Sequence, residues 1–139
     1  MLDRAQIESI LPHRPPFLFV DSISAIVPGE SIVGVFLVRE KELFLAREGG
    51  ETYLPATVLA EAMAQVGAIL VLYPEENRGR TIYFRAIEEA EFLRRVLAGK
   101  RVRIEARVKK LRARFGSLAV EAYVDSDLAA TGIMSFALG

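Results

Sequence analysis

The sequence predicts an α+β protein, a long central helix wrapped by a curved antiparallel sheet, as one domain over residues 1–139. Three observations predict it. Residues 55–73, PATVLAEAMAQVGAILVLY, are apolar almost all the way round a helix, which is the pattern of a helix buried in a core. Residues 101–109, RVRIEARVK, alternate strictly: Val102, Ile104, Ala106 and Val108 face one way and the charged residues face the other, as in a strand with one wet face. Finally, 139 residues with 52% hydrophobic content suffice for one core and are too few for two ordinary ones.

The helix carries the chemistry. Its polar interruptions, Thr57, Glu61 and Gln65, are spaced four apart and stack in a single stripe with a carboxylate at the centre. Pro55 suits the first helical position, where its missing N–H would have no partner anyway. The free amides of the first turn and the helix dipole then favour a partly negative oxygen. A buried carboxylate beside such a helix start is the main functional signal, and its structural alternative is a Glu61–Arg salt bridge.

The other elements follow in order. Asp3 caps a short helix over 4–11 whose apolar residues Ile7, Ile10 and Leu11 share a face. Pro12 stops it, and PHRPP (12–16) imposes an extended turn. Residues 17–27 and 31–38 read as strands joined at Pro28-Gly29. Residues 39–54, with Gly49-Gly50, read as a loop over the approach to the long helix. PEENRGR (74–80) is a break; 81–87 is a strand followed by the acidic patch Glu88, Glu89 and Glu91. The strand 101–109 is followed by strands over 113–124 and 128–138, joined at RARFG and DSD. Short helix, two strands, long helix and four strands suggest the hot-dog architecture. A helix this apolar needs covering on most sides, and leftover apolar surface and edge strands predict a homodimer.

Composition excludes several classes. Formal net charge is zero, so the molecule as a whole is no electrostatic trap for nucleic acid or membrane. Cysteine is absent, which excludes disulfides, thiolate nucleophiles and Cys-based metal sites. The pattern contains no metal-ligand cluster and no Gly-rich nucleotide loop, so no metal or cofactor is expected. The start MLDRAQIESIL has early charges and no signal-peptide core, and Glu61 and Gln65 argue against a membrane span; a cytoplasmic protein is expected.

The motifs ILPHRPPFLFVD (10–21), PG (28–29), LAEAMAQ (59–65) and YFRAIEEAEF (83–92), with the closing strands, resemble the FabZ-type β-hydroxyacyl-(acyl carrier protein) dehydratases. Nearly the whole chain takes part. The resemblance implies a hot-dog fold, a dimer or trimer of dimers, and an interface tunnel for a β-hydroxyacyl chain carried on acyl carrier protein or CoA. It implies a His that removes a proton beside the thioester. It also implies a helix Glu from the other subunit that helps the hydroxyl leave, and a helix-start N–H for the thioester oxygen. The Glu matches Glu61, the following Gln matches Gln65, and the helix-start Pro-Gly matches Pro55-Ala56. The loop His has no match: counting back from Glu61 reaches Arg47, and counting forward from the second strand reaches Glu48. Arg47 stays protonated and cannot act as a base near neutral pH; it suits Glu61 or a substrate anion. The single histidine, His13, occupies a PHR position that in the family is structural or lines the entrance; its alternative is to reach the site as a substitute base, and Glu48 is a further candidate proton acceptor.

Three functions fit these residues. The first is dehydration or hydration of a β-hydroxyacyl thioester by Glu61 with the helix-start amides. The second is a hot-dog thioesterase using Glu61 with the amides of Ala56 and Thr57, Thr57 orienting a water. The third is a non-catalytic acyl-thioester binding module or a pseudoenzyme partner to an active paralogue. A basic stretch, Arg94, Arg95 and 100–114, offers attraction for an acidic carrier protein, against its reading as the solvated face of strands. Phe19, Phe36, Met63, Phe84, Phe92 and Met134 are candidate tunnel liners or core.

Overall fold

The computed structural model describes residues 1–139. Helix α1 (Arg4–Ile10) starts at a capping box: the Asp3 carboxylate accepts from the Gln6 amide at 2.9 Å, and the Gln6 side chain accepts from the Asp3 amide at 2.9 Å. It ends one residue before the predicted boundary, because Leu11 is already extended ahead of Pro12. Residues 17–21 also depart from expectation. They run extended and buried at Leu18, Phe19 and Val20, but the first strand, β1, is only Ser22–Val27. The Phe19 amide is donated to the Gln65 side chain at 2.8 Å and so is not available to a strand neighbour.

Strand β2 (Ser31–Leu37) pairs with β1 across the Pro28-Gly29 turn. The predicted loop 39–54 contains a hairpin, β3 (Ala46–Glu48) and β4 (Glu51–Leu54). Gly49 and Gly50 both have positive φ, 60° and 78°, which a two-residue turn between twisted strands requires. Helix α2 (Ala56–Leu72) follows, then a short 3₁₀ turn (Glu75–Asn77). Strand β5 (Ile82–Phe92) runs on through the acidic patch instead of stopping before it. It does so with two register shifts and with Glu89 at φ 50°. A two-residue strand, β6 (Val96–Leu97), was too short for any periodicity to reveal. The last three strands, β7 (Arg101–Arg112), β8 (Phe115–Val124) and β9 (Asp127–Leu138), match the predicted run within a few residues.

The strands form an antiparallel six-stranded sheet in the order β1-β2-β7-β8-β9-β5 and a smaller sheet β3-β4-β6. Alternation puts Ile32 and Phe36 of β2, Val102, Ile104 and Ala106 of β7, Leu118 and Val120 of β8, and Met134 and Phe136 of β9 into one core. Helix α2 packs on that face, chiefly against β7 and β2. It comes so close to β2 that a Cβ on Gly34 would lie 2.8 Å from a Val66 methyl. This is the hot-dog arrangement. The opposite edge, β5, leaves Tyr83, Ile87, Phe92 and the following Leu93 exposed.

Candidate active site

The C-terminal half of α2 is buried, whereas Ala56, Thr57 and Glu61 at its start are exposed. The sheet covers one side of the helix and leaves the polar stripe open. Glu61 is therefore not the buried carboxylate the sequence predicts: its side chain is 47% exposed within the protomer, because nothing in the same chain closes over this end of α2. Gln65, four residues on, is the one buried polar residue of the core. Its amide nitrogen donates to Glu61 Oε2 at 2.9 Å and to the Phe17 carbonyl at 2.8 Å, while its oxygen accepts from Phe19 N–H. Gln65 thereby fixes the carboxylate and ties the segment 17–19 to the helix.

That tie brings His13 to the stripe. His13 Nε2 lies 3.7 Å from Glu61 Oε2, and the two line a cavity of about 170 Å³ with Ala64, Gln65, Ala68 and Phe84. Arg14 fixes the backbone beside the imidazole by donating to the carbonyls of Glu8, Leu11 and His13.

The helix start differs from expectation by one position. Pro55 is the N-cap residue, with ψ 146°, and not the first helical residue. Pro55 O accepts from the amides of Val58 and Leu59 at 3.0 Å each, no side chain caps the helix, and the amides of Ala56 and Thr57 have no acceptor. A cavity of about 300 Å³ opens there, lined mainly by apolar residues including Tyr53, Leu59, Phe92 and Leu93. Among the predicted liners, Phe84 and Phe92 border these two cavities. Phe19, Phe36, Met63 and Met134 are core.

Arg47 stands exposed on β3 and forms no ion pair with Glu61 within the protomer. The hairpin that carries it is held instead by Arg95, which contacts Glu48 at 2.6 Å and Glu51 at 3.0 Å and lies over the Tyr53 ring. Hydrogen bonds to Glu48 and Glu51 hold the Arg95 guanidinium still more firmly protonated. Much of the basic stretch is paired similarly: Arg94 with Asp127, Lys100 with Asp125, Arg103 with Glu105 and Arg107 with Glu121. Lys109, Lys110 and Arg112 form no such pair and line a cavity of about 480 Å³ with Arg85 and Phe115.

Sequence reasoning missed the clamp at Asp21. This carboxylate accepts from Arg4 at 2.9 Å, from Arg39 at 2.8 Å and from the Leu37 amide at 2.7 Å. Burial pushes its pKa up, but the hydrogen bonds from Arg39, Leu37 and Arg4 outweigh burial and hold it below the ordinary carboxylate value. Its partners are spread from residue 4 to residue 39, so no local motif announced it.

Fold and site together define a hot-dog protein with one uncovered carboxylate on its central helix. Solved structures agree on the fold. The dehydratase heterocomplex ApeI:P of Xenorhabdus doucetiae superposes with TM-score 0.83 at 16% identity, over 96% of this chain and 90% of that one. A thioesterase-superfamily protein of Thermus thermophilus gives 0.67 at 23% identity, over 84% and 85%. A family model described as a FabA-like domain matches residues 11–132. The 3-hydroxyacyl-(acyl-carrier-protein) dehydratase FabZ of Desulforamulus reducens is 41% identical over 100% of this chain and 99% of its own length. That of Geobacillus thermodenitrificans is 39% identical over 100% and 97%. The chain belongs to this FabZ-type β-hydroxyacyl-(acyl carrier protein) dehydratase family.

Proposed function

We propose that the protein interconverts a β-hydroxyacyl thioester and its α,β-unsaturated product. Glu61 serves the C3 hydroxyl, and the amides of Ala56 and Thr57 hold the thioester oxygen. The observation that carries this reading is the Glu61 carboxylate, gripped by Gln65 beside a cavity on the side of the helix that the sheet leaves open. Spacing supports it. At 1.5 Å per residue, Thr57 and Glu61 are about 6 Å apart along the axis, which suits a carbonyl oxygen and a β-hydroxyl of one substrate. The weakly acidic C2 proton makes a stabilised enolate oxygen necessary, and two free helix-start amides aided by the dipole suit that charge.

The reading extends to the partners. The thioester is carried by acyl carrier protein or CoA in the cytoplasm, and Lys109, Lys110, Arg112 and Arg85 supply attraction for an acidic carrier. The protein works as a homodimer, alone or as a trimer of dimers. Exposed Tyr83, Ile87, Phe92 and Leu93 along the β5 edge support such pairing.

The test is turnover of 3-hydroxybutyryl and crotonyl thioesters by the purified protein, followed as enoyl absorbance beside release of free thiol. The expected result is enoyl formation or loss without thiol release, with Glu61→Gln lowering kcat by about 10²–10⁴-fold. Thiol release without enoyl chemistry identifies a thioesterase instead. Thioester binding with neither reaction identifies a binding module.

A further inference from the structure

We propose that His13 is the catalytic proton-transfer partner of Glu61 within the same chain, the group that removes the C2 proton of the substrate. This rests on the dehydratase reading above and names the base that reading leaves open. The protein contains one histidine, so any imidazole chemistry has only His13 to use. Its Nε2 stands 3.7 Å from Glu61 Oε2 at a shared cavity. That separation is longer than a hydrogen bond, so neither group saturates the other, and a reacting carbon and its hydroxyl have room to engage both. Catalytic contacts in empty sites are commonly longer than in the substrate complex. His13 Nδ1 is buried with no hydrogen-bond partner, so the protein uses neither ring nitrogen in a closed structural contact.

His13 also borders a second cavity, of about 340 Å³, that runs along Ile10, Leu11, Leu72, Arg80 and Ile82. His13 and Ile82 line both cavities, so the imidazole stands where they meet. The two residues at the loop position do not compete for this role: Arg47 is a permanent cation on an exposed strand without contact to Glu61 in the protomer, and the Glu48 carboxylate is held by Arg95 at 2.6 Å.

The step balances as follows. Neutral His13 takes the proton from C2, and the C2–H electron pair becomes the C2=C3 double bond by way of the enolate. The C3–O bond breaks, and the departing hydroxyl takes the proton of protonated Glu61 and leaves as water. The pair still holds one proton, now on His13. Its transfer to Glu61 across the short gap restores the starting state. In the hydration direction each step reverses. Gln65, which holds Glu61 Oε2 and the backbone of residue 17, is the positioning residue for the pair.

The experiment is steady-state turnover of crotonyl and 3-hydroxybutyryl thioesters by wild type, His13→Ala, His13→Gln, Glu61→Gln and the His13→Ala/Glu61→Gln double variant. Folding is checked by circular dichroism and thermal melting. The expected result is a fall in kcat of about 10²-fold or more for His13→Ala and His13→Gln with KM changed little, and partial recovery of His13→Ala by added imidazole. The double variant falls no further than the worse single one, because the pair acts as a unit. His13→Gln that folds and retains kcat within about 3-fold, while Glu61→Gln is inactive, overturns the role of His13 and leaves the dehydratase reading standing. Loss of activity in folded His13→Ala with no response to imidazole, and independent losses that multiply in the double variant, also overturn it. They reduce His13 to a structural contact. A wild type inactive in both directions overturns the dehydratase reading itself.

Discussion

At the scale of single residues, Gln65 does the most for this site. It is buried, and its amide group makes hydrogen bonds to Phe17, Phe19 and Glu61. Gln65→Leu keeps the volume but strands the Phe19 N–H, and a buried unsatisfied donor costs about 1–3 kcal/mol. The expected outcome is that much loss in urea unfolding, together with a loss of turnover as Glu61 is freed. Asp21 makes a pH prediction. Its folded pKa is lowered, so its contribution to stability is present above the unfolded carboxylate value and is lost as pH falls through the folded one. Asp21→Asn is expected to destabilise at neutral pH, and the gap from wild type should close as the pH drops below about 4. Unfolding curves of both proteins across an acid series check it; a gap of constant width refutes the clamp. The stripe Thr57, Glu61 and Gln65 was legible from spacing alone, since four residues nearly complete a helical turn. The role of Asp21 was not, because its partners lie on two segments distant from it in sequence, at residue 4 and at residues 37–39.

At the scale of elements, the position of α2 decides whether the stripe faces a cavity or the sheet. Gly34 sets that position by letting the Val66 methyls sit where a side chain would be. Gly34→Ala would place its Cβ 2.8 Å and 3.2 Å from the two branches of a β-branched residue that has little freedom to turn away. The expected cost is about 1–3 kcal/mol of overpacking, read as a lowered melting temperature, with turnover falling as the helix is lifted. Long elements with one period, α2 and β7, were readable from the sequence. The shortest strands were not. The hairpin β3–β4 and the two-residue β6 hold only a few residues each, and tertiary contacts such as Arg95 with Glu48 and Glu51 fix them. The Gly49-Gly50 pair was the one local signal for that hairpin, and it was read only as part of a loop. The continuation of β5 through Glu88, Glu89 and Glu91 was masked by charge, since an edge strand tolerates carboxylates that face water.

At the scale of the whole molecule, two surfaces of the protomer are incomplete: the β5 edge with its exposed apolar side chains, and the open start of α2. The proposed homodimer covers the first. Ile87→Lys, on an exposed strand position, is expected to shift the protein toward monomer in sedimentation velocity while leaving the protomer folded by circular dichroism. An unchanged sedimentation coefficient places the pairing surface elsewhere.

The sequence by itself determined the long helix, its polar stripe, the alternating strands and, through motifs spread along nearly the whole chain, the family. The helix, stripe and strands are local patterns, each following from the period of one element, while the family follows from the resemblance of the motifs. Only the tertiary structure decided that Glu61 is open within the protomer, that Pro55 stands outside the helix, and that His13 lies beside Glu61. The physical reason is separation along the chain. His13 and Glu61 meet because Gln65 grips the backbone at residues 17 and 19, and a contact made through a third, distant side chain leaves no periodicity in the sequence to read.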